Sequence, residues 1–411
     1  MTPVTTKLDS GRAGAGAPRE ASLPQSVRSG STHRIASVDI VRGAVMVLMA
    51  LDHVRDYVTI NRFPPENLAR GTAALFATRW VTHFCAPSFF LLAGVGIGLL
   101  MNRGKRPAEL SRYLVTRGLW LLILELVITP IGWQFGFQLI PAFALVLWAL
   151  GWSMIVMALA VHAPRPLVGS AALALIFGHN LLDGIRPESL GQLASIWHLL
   201  HIPGFVVPNV LFVGYPLLPW VAVMAFGFLL ARAYQWDAVR RRTAFIAVGV
   251  AAVILFATLR AVNGYGNPFP WTAQRTPALT VASFLNVLKY PPSLQFLLMT
   301  LGPALIALAL AERARGRVAQ WLTVYGRVPL FFYVTHIFVA HAVAVVLALI
   351  QSGELRRVPI VHDPAAIPVS HGVGLPGVYL AWAIVVVLLY YPCRRFARLK
   401  EARRDWWLQY L

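Results

Sequence analysis

The chain is poor in charge. Only 13% of its 411 residues are charged, the acidic ones number 16, and 58% are hydrophobic. That balance excludes an ordinary soluble domain, which could not bury so much apolar surface. Cysteine is scarcer still: Cys85 and Cys393 offer neither a disulfide framework nor a metal site. Also missing are a Gly-rich phosphate loop, an HExxH pair, a G-x-S-x-G elbow and the repeat between halves that many secondary transporters show. The familiar soluble-enzyme signatures are therefore absent, and no metal is expected.

What the chain has instead is long apolar runs. They cover roughly 38–58, 73–101, 114–130, 139–161, 167–182, 211–231, 244–262, 294–311, 328–350 and 373–391, near the twenty or so residues a span requires. None alternates polar with apolar, so the backbone hydrogen bonds must be satisfied within helices and not in a barrel. The expected fold is an all-α polytopic membrane bundle of about ten transmembrane helices.

A net charge of +20 raises the question of nucleic acid, and its placement argues against that partner. With ten spans, one side holds about 25 of the 36 Lys and Arg, in clusters such as RGKRP from Arg103, RRR at 240–242, ERARGR from Glu312 and RRFARLK from Arg394. By the positive-inside rule both termini are cytoplasmic, in an inner (cytoplasmic) membrane, and the clusters are topology signals that also suit anionic lipid. Residues 1–34 carry no long apolar run and read as a disordered cytoplasmic tail, leaving 35–411 as the membrane domain.

The first run carries more ionisable residues than lipid tolerates. SVDIVRGAVMVLMALDHVRDY, Ser37 to Tyr57, holds Asp39 and Arg42 at one end and Asp52, His53, Arg55 and Asp56 at the other. At about 100° per residue, Arg42 and His53 differ by only about 20°, with Asp39, Met46, Met49 and Asp56 near the same line and about 16 Å of helix between the two ends. Separate explanations exist for each charge: a cap at Asp39, snorkelling at Arg42, a wet outer turn over 52–56. They do not explain the shared stripe, which reads as the wall of a tunnel with two polar ends.

Ser37–Gly43 in the pattern SVDxxRG, followed by an apolar run, resembles the opening helix of the heparan-alpha-glucosaminide N-acetyltransferase family. The Arg-to-His spacing of eleven is similar to that of the bacterial polysaccharide O-acyltransferases (acyltransferase family 3). RWVTHFCAPSFFLLAG from Arg79, YPLLPWVAVMAFGFLLA from Tyr215, KYPPSLQFLLMTLGP from Lys289, YGRVPLFFYVTHIF from Tyr325 and DWWLQYL from Asp405 are similar to the first family's bacterial branch. The resemblance covers nearly all of the chain after Ile35. It implies transfer of an acetyl group from cytoplasmic acetyl-CoA to a sugar on the far side of the membrane. Two departures stand out. The lysosomal members have a luminal domain ahead of the catalytic helices, where this chain has a short polar tail. Their catalytic His lies in the loop after the first helix, and the position matching His53 is Asn; here the segment from Val54 to Thr78 has no His.

Acetyl transfer needs a base, and His titrates where that role requires. His53 is the expected base, with Asp56 able to orient its ring and Asp52 pointing about 100° away. His83 is expected to share the proton relay, hold the sugar or accept the acyl group transiently, and Arg79 to stabilise the oxyanion. At the other end, Arg42 beside Asp39, with Arg103, Lys105, Arg106 and Arg112, is the expected dock for the CoA phosphates. His336 and His341 either line the tunnel or pack between helices, Glu125 is expected to face the bundle, and His179, Asp183, His198 and His201 are sugar contacts or solvated groups. In KYPPS the prolines have a structural reading and Lys289 has none. A transporter or flippase of a small glycan, or a haem-binding redox subunit, would also bury ionisable groups in a bundle. The residues leave open the acceptor's identity, N- versus O-transfer, an acyl-histidine, and the oligomeric state.

Overall fold

The computed structural model describes residues 1–3, 35–61, 63–355, 372–403 and 405–410. The tail expected over 1–34 lies almost wholly outside them. Ala36–Leu411 form one compact unit. Helix α1 spans Ala36–Val58. Helix α2 (Ala73–Trp80), capped by Thr72, continues through a 3₁₀ turn at Val81–Phe84 into α3 (Cys85–Asn102). Helix α4 (Pro107–Ile123) passes through a π-helical turn, Leu124–Ile128, into α5 (Thr129–Gln134). Strand β1 (Ala142–Ala144), α6 (Val146–Ala160), α7 (Arg165–Gly178), α8 (Ala194–Leu200), β2 (Gly204–Val207), β3 (Leu211–Val213) and α9 (Leu217–Leu230) follow. The chain then runs through α10 (Ala238–Ala261), α11 (Pro277–Leu285), α12 (Leu294–Ala311), α13 (Arg317–Arg327), α14 (Pro329–Ser352) and α15 (Leu375–Ala402).

This is an all-α polytopic membrane bundle, with fewer qualifying spans than the ten expected. Among the described residues seven helices are long and apolar enough to cross a membrane, or eight if one bent pair counts as a span. Three of the ten runs account for the correction. Helix α1 has the length but carries five Asp and Arg residues. The run over 139–161 yields a helix of only 15 residues, about 22 Å long against a hydrocarbon core of about 30 Å, because its first part, with Pro141, is spent on β1. The run over 167–182 becomes α7, and the chain turns through 115° before the segment Pro187–Leu200. The run from 211 likewise begins as β3, and its helix waits until Leu217, just after Pro216. β1 pairs in parallel with β3 and β2 pairs antiparallel to it, with Phe143 and Phe205 both opposite Phe212.

Helices in lipid gain no hydrophobic advantage from touching each other, so close approach through small residues has to supply the attraction. Four helix pairs here use the same device. Gly94 and Gly227 lie at the α3–α9 crossing, Gly118 and Gly151 at α4–α6, Gly249 and Gly302 at α10–α12, and Gly43 and Gly326 at α1–α13; in every case an added Cβ would run into the partner helix's backbone carbonyl. Helix α1 sits inside this frame, packed by α3, α12, α13, α14 and α15, and most of its side chains are buried. Lipid therefore does not meet its charges. The strands β1 and β3 bring Phe143 and Phe212 to a cavity that the C-terminal end of α1 also lines.

Candidate active site at the end of the first helix

A cavity of about 650 Å³ opens beside the last two turns of α1, well within the size range of small-molecule sites. Asp52, His53, Arg55 and Asp56 from α1 and Arg79 from α2 form its polar side. Trp133, Phe143, Phe212, Tyr215 and Tyr333 supply aromatic walls, and Glu66, Lys289 and Tyr290 come from connecting segments. Met49 is the deepest α1 residue in the lining.

The charges form a continuous ladder. Arg55 binds Asp56 at 2.6 Å and Asp52 at 2.8 Å; Arg79 bridges Asp52 and Glu66, the latter at 2.7 Å. Each guanidinium thus joins two carboxylates, so neither Arg55 nor Arg79 is buried without compensation. Removing one member leaves its partners uncompensated at a cost of about 3–5 kcal/mol. Burial opposes the ionisation of Glu66, but Arg79 and His83 outweigh it and hold the Glu66 carboxyl well below the usual carboxylate range.

His53 is positioned by a second histidine. His53 Nδ1 lies 2.7 Å from His336 Nε2 on α14, and His336 Nδ1 lies 3.0 Å from the Phe332 carbonyl. A carbonyl can only accept, so His336 Nδ1 carries the proton and, in a neutral ring, Nε2 is the acceptor. The proton between the rings then belongs to His53 Nδ1, which leaves His53 Nε2 with its lone pair in a ring that lines the cavity. The Trp133 indole meets the His53 ring edge-on at 4.9 Å. Trp133 is itself fixed from below: the Tyr57 hydroxyl donates to its carbonyl at 2.8 Å, and His341, stacked on Tyr57, holds the Gly132 carbonyl at 2.9 Å.

The structure gathers the expected residues unevenly. Asp52, His53, Asp56 and Arg79 line one cavity. Asp56 pairs with Arg55, and it is His336, fully buried, that engages the His53 ring. His83 does not belong to the lining; it is buried behind Glu66, with Nε2 3.8 Å from that carboxylate and its ring against Phe296. Arg42 is turned onto Asp39 and the Gly326 carbonyl, both at 3.2 Å, and neither it nor Asp39 reaches the cavity. Arg103, Lys105, Arg106 and Arg112 are also outside the lining: Lys105 covers the Tyr113 ring, Arg106 pairs with Glu109, and Arg103 and Arg112 are exposed. Glu125 faces inward as expected, and its carboxylate accepts the Leu145 and Leu147 backbone N–H groups at 3.2 and 3.0 Å, capping α6. His201 pairs with Asp183 at 2.9 Å, while His179 grips the Pro292 carbonyl at 2.9 Å.

Two contributors take no role from local pattern. Glu66 stands in a loop of Pro, Asn and Gly, and only the fold brings it to Arg79. Arg55 is visible in the sequence but looks like part of a wet turn until both of its carboxylates are placed.

A family model described as heparan-alpha-glucosaminide N-acetyltransferase, catalytic, matches residues 34–274, more than half of the chain. The match takes in the α1 ladder, Glu66, Arg79 and Trp133, and ends before Lys289 and His336. Comparison with curated proteins finds no match.

Proposed function

The chain belongs to the heparan-alpha-glucosaminide N-acetyltransferase family, and from that premise we propose that this membrane acetyltransferase takes its acetyl group from acetyl-CoA and passes it to an amine or hydroxyl of a glycan. The observation that carries this reading is the His53–His336 pair, which offers an unprotonated imidazole nitrogen in a cavity of substrate size. As the acceptor nitrogen or oxygen attacks the thioester carbon, His53 Nε2 takes its proton; the C–S bond breaks, and the proton passes to the departing thiolate. Arg79 uses two of its guanidinium nitrogens on Asp52 and Glu66, and the third is the proposed oxyanion donor. His336 acts as a positioning residue. Trp133 and Phe143 give a sugar ring apolar faces to lie against.

For the nucleotide of the donor the proposed dock is the opposite end of α1, at Arg42 and Asp39, with Arg103, Lys105, Arg106 and Arg112 nearby. Asn102, next to Arg103, bonds the Ala231 carbonyl at 2.8 Å, and the segment that follows Ala231 carries Tyr234, which lies within electrostatic reach of Arg42; this supports placing that basic segment at the same end. Counted over the ten apolar runs of the sequence, the excess of Lys and Arg on one side is the basis for the proposed cytoplasmic termini and delivery outward across a cytoplasmic membrane.

Proteoliposomes given labelled acetyl-CoA on one side and glycan acceptors on the other test the reading directly. Wild type should label the acceptor and His53→Ala should not. Equal labelling by both would remove His53 from the mechanism, and movement of intact glycan without label would favour a flippase.

A further inference from the structure

Lys289 is the cavity cation with no role in the transfer just described. It is 9% exposed and belongs to the cavity lining. Arg55 and Arg79 each hold two carboxylates, yet among the described residues Lys289 forms no ion pair. Its ammonium lies over the Tyr290 ring, 5.1 Å from the centroid, and the Tyr290 hydroxyl is 3.2 Å from that of Tyr215.

Besides the Tyr290 ring, it is the backbone that fixes where this side chain stands. Lys289 bridges to Pro292, the Ser293 N–H reaches the Leu288 carbonyl at 3.0 Å, and the Leu288 N–H bonds Asn267 at 2.8 Å. His179 holds the Pro292 carbonyl, and Asn180 accepts from the Leu294 N–H at 2.8 Å. A turn anchored at five points therefore presents an ammonium to a cavity whose carboxylates, Asp52, Asp56 and Glu66, are engaged by Arg55 and Arg79 and form no ion pair with it. Buried charges ordinarily find a counter-charge. The local field agrees: burial would raise the Tyr290 phenol, but Lys289 and Arg79 outweigh it and draw it below its ordinary value.

We infer that Lys289, with the Tyr290 and Tyr215 hydroxyls beside it, is a preformed binding site for an anionic oxygen group (sulfate, phosphate or carboxylate) carried by a substrate of this cavity. The group belongs either to the acceptor glycan or to the phosphates of the acetyl donor, and the second assignment would replace the dock proposed at Arg42. An anion there would be held within electrostatic reach of Asp52 and His53, both of which feel the Lys289 charge, and so would orient the molecule that carries it relative to the base.

The inference rests on the acetyltransferase reading for the identity of the substrates, but its test does not require turnover. Equilibrium binding to the full chain in detergent is measured for glucosamine and glucosamine 6-sulfate, and for CoA and pantetheine, with wild type, Lys289→Met and Lys289→Arg. Wild type should prefer one anionic member over its neutral counterpart. Lys289→Met should reduce that preference by about tenfold or more, as for loss of a charge-assisted contact, and Lys289→Arg should largely keep it. A reduced preference for the sulfated sugar assigns the anion to the acceptor, and one confined to CoA assigns it to the donor. The inference is overturned if wild type shows no preference in either pair, or if Lys289→Met weakens charged and neutral forms alike. A chain that shows the preference yet transfers no acetyl group would sink the acetyltransferase reading and leave the anion site standing.

Discussion

The two ends of α1 carry similar residues and live in different surroundings. At the C-terminal end Asp52, Arg55 and Asp56 join residues from α2 and the loop before it around a cavity, and His53 is held by α14. At the N-terminal end Asp39 and Arg42 bind each other, Arg42 also reaches the Gly326 carbonyl, and the helix lies backbone to backbone on α13 through Gly43 and Gly326. A carboxylate and a guanidinium one turn apart are thus not enough to open a cavity. What separates the ends is whether the neighbouring helix brings a glycine, which closes the space, or a loop and an aromatic wall, which leave it open.

The sharpest way to break this contrast is at the open end. His53→Ala should lower kcat by about 10²–10⁴, the usual worth of a general base, while the thermal melting curve stays near that of wild type; turnover at saturating acetyl-CoA checks it. His336→Phe removes the acceptor for His53 Nδ1 and frees the wrong tautomer, so kcat should fall by about a hundredfold with KM little changed and the pH profile displaced. At the closed end the effect should be on stability instead. Gly326→Ala drives a Cβ into the Asp39 carbonyl, and overpacking of this kind costs about 1–3 kcal/mol, read as a lower melting temperature in detergent with turnover of the folded fraction retained. Glu66→Gln probes the ladder through acid. Because the folded pKa of Glu66 is depressed, its contribution to stability is complete above the ordinary value near about 4.3 and is lost as pH falls through the lower folded value. The variant should be less stable than wild type at neutral pH, and the difference should shrink on acidification. The smallest change is expected for Arg42→Ala, a rise of a few fold (about 1 kcal/mol) in the KM for acetyl-CoA; an unchanged KM would remove Arg42 from the donor dock.

Legibility in the sequence follows the range of the interaction. The stripe along α1 is a property of one helix, so spacing alone exposes it. His336 is a different case. Its presence in an apolar helix is plain, but two roles fit it equally until α1 and α14 are seen to place the rings 2.7 Å apart across 283 residues of chain. Asp56 shows the opposite error: helical spacing offers it to His53, whereas adjacent Arg55 satisfies it more directly. The count of spans failed where hydropathy averages hide interruptions, at Pro141, at Pro216 and at the bend after α7.

Composition alone settles that this chain belongs in a membrane, because no arrangement of a chain 58% hydrophobic could hide that surface from water. The first helix's motif also announces the family. Only tertiary structure decides which end of that helix holds the cavity, which side chain orients His53, and that Lys289 lines that cavity without an ion pair to its carboxylates. Those outcomes depend on residues far apart in the chain meeting across helix crossings, and glycines, prolines and loop carbonyls set where the crossings fall. A one-dimensional pattern carries helix faces; it does not carry the distances between them.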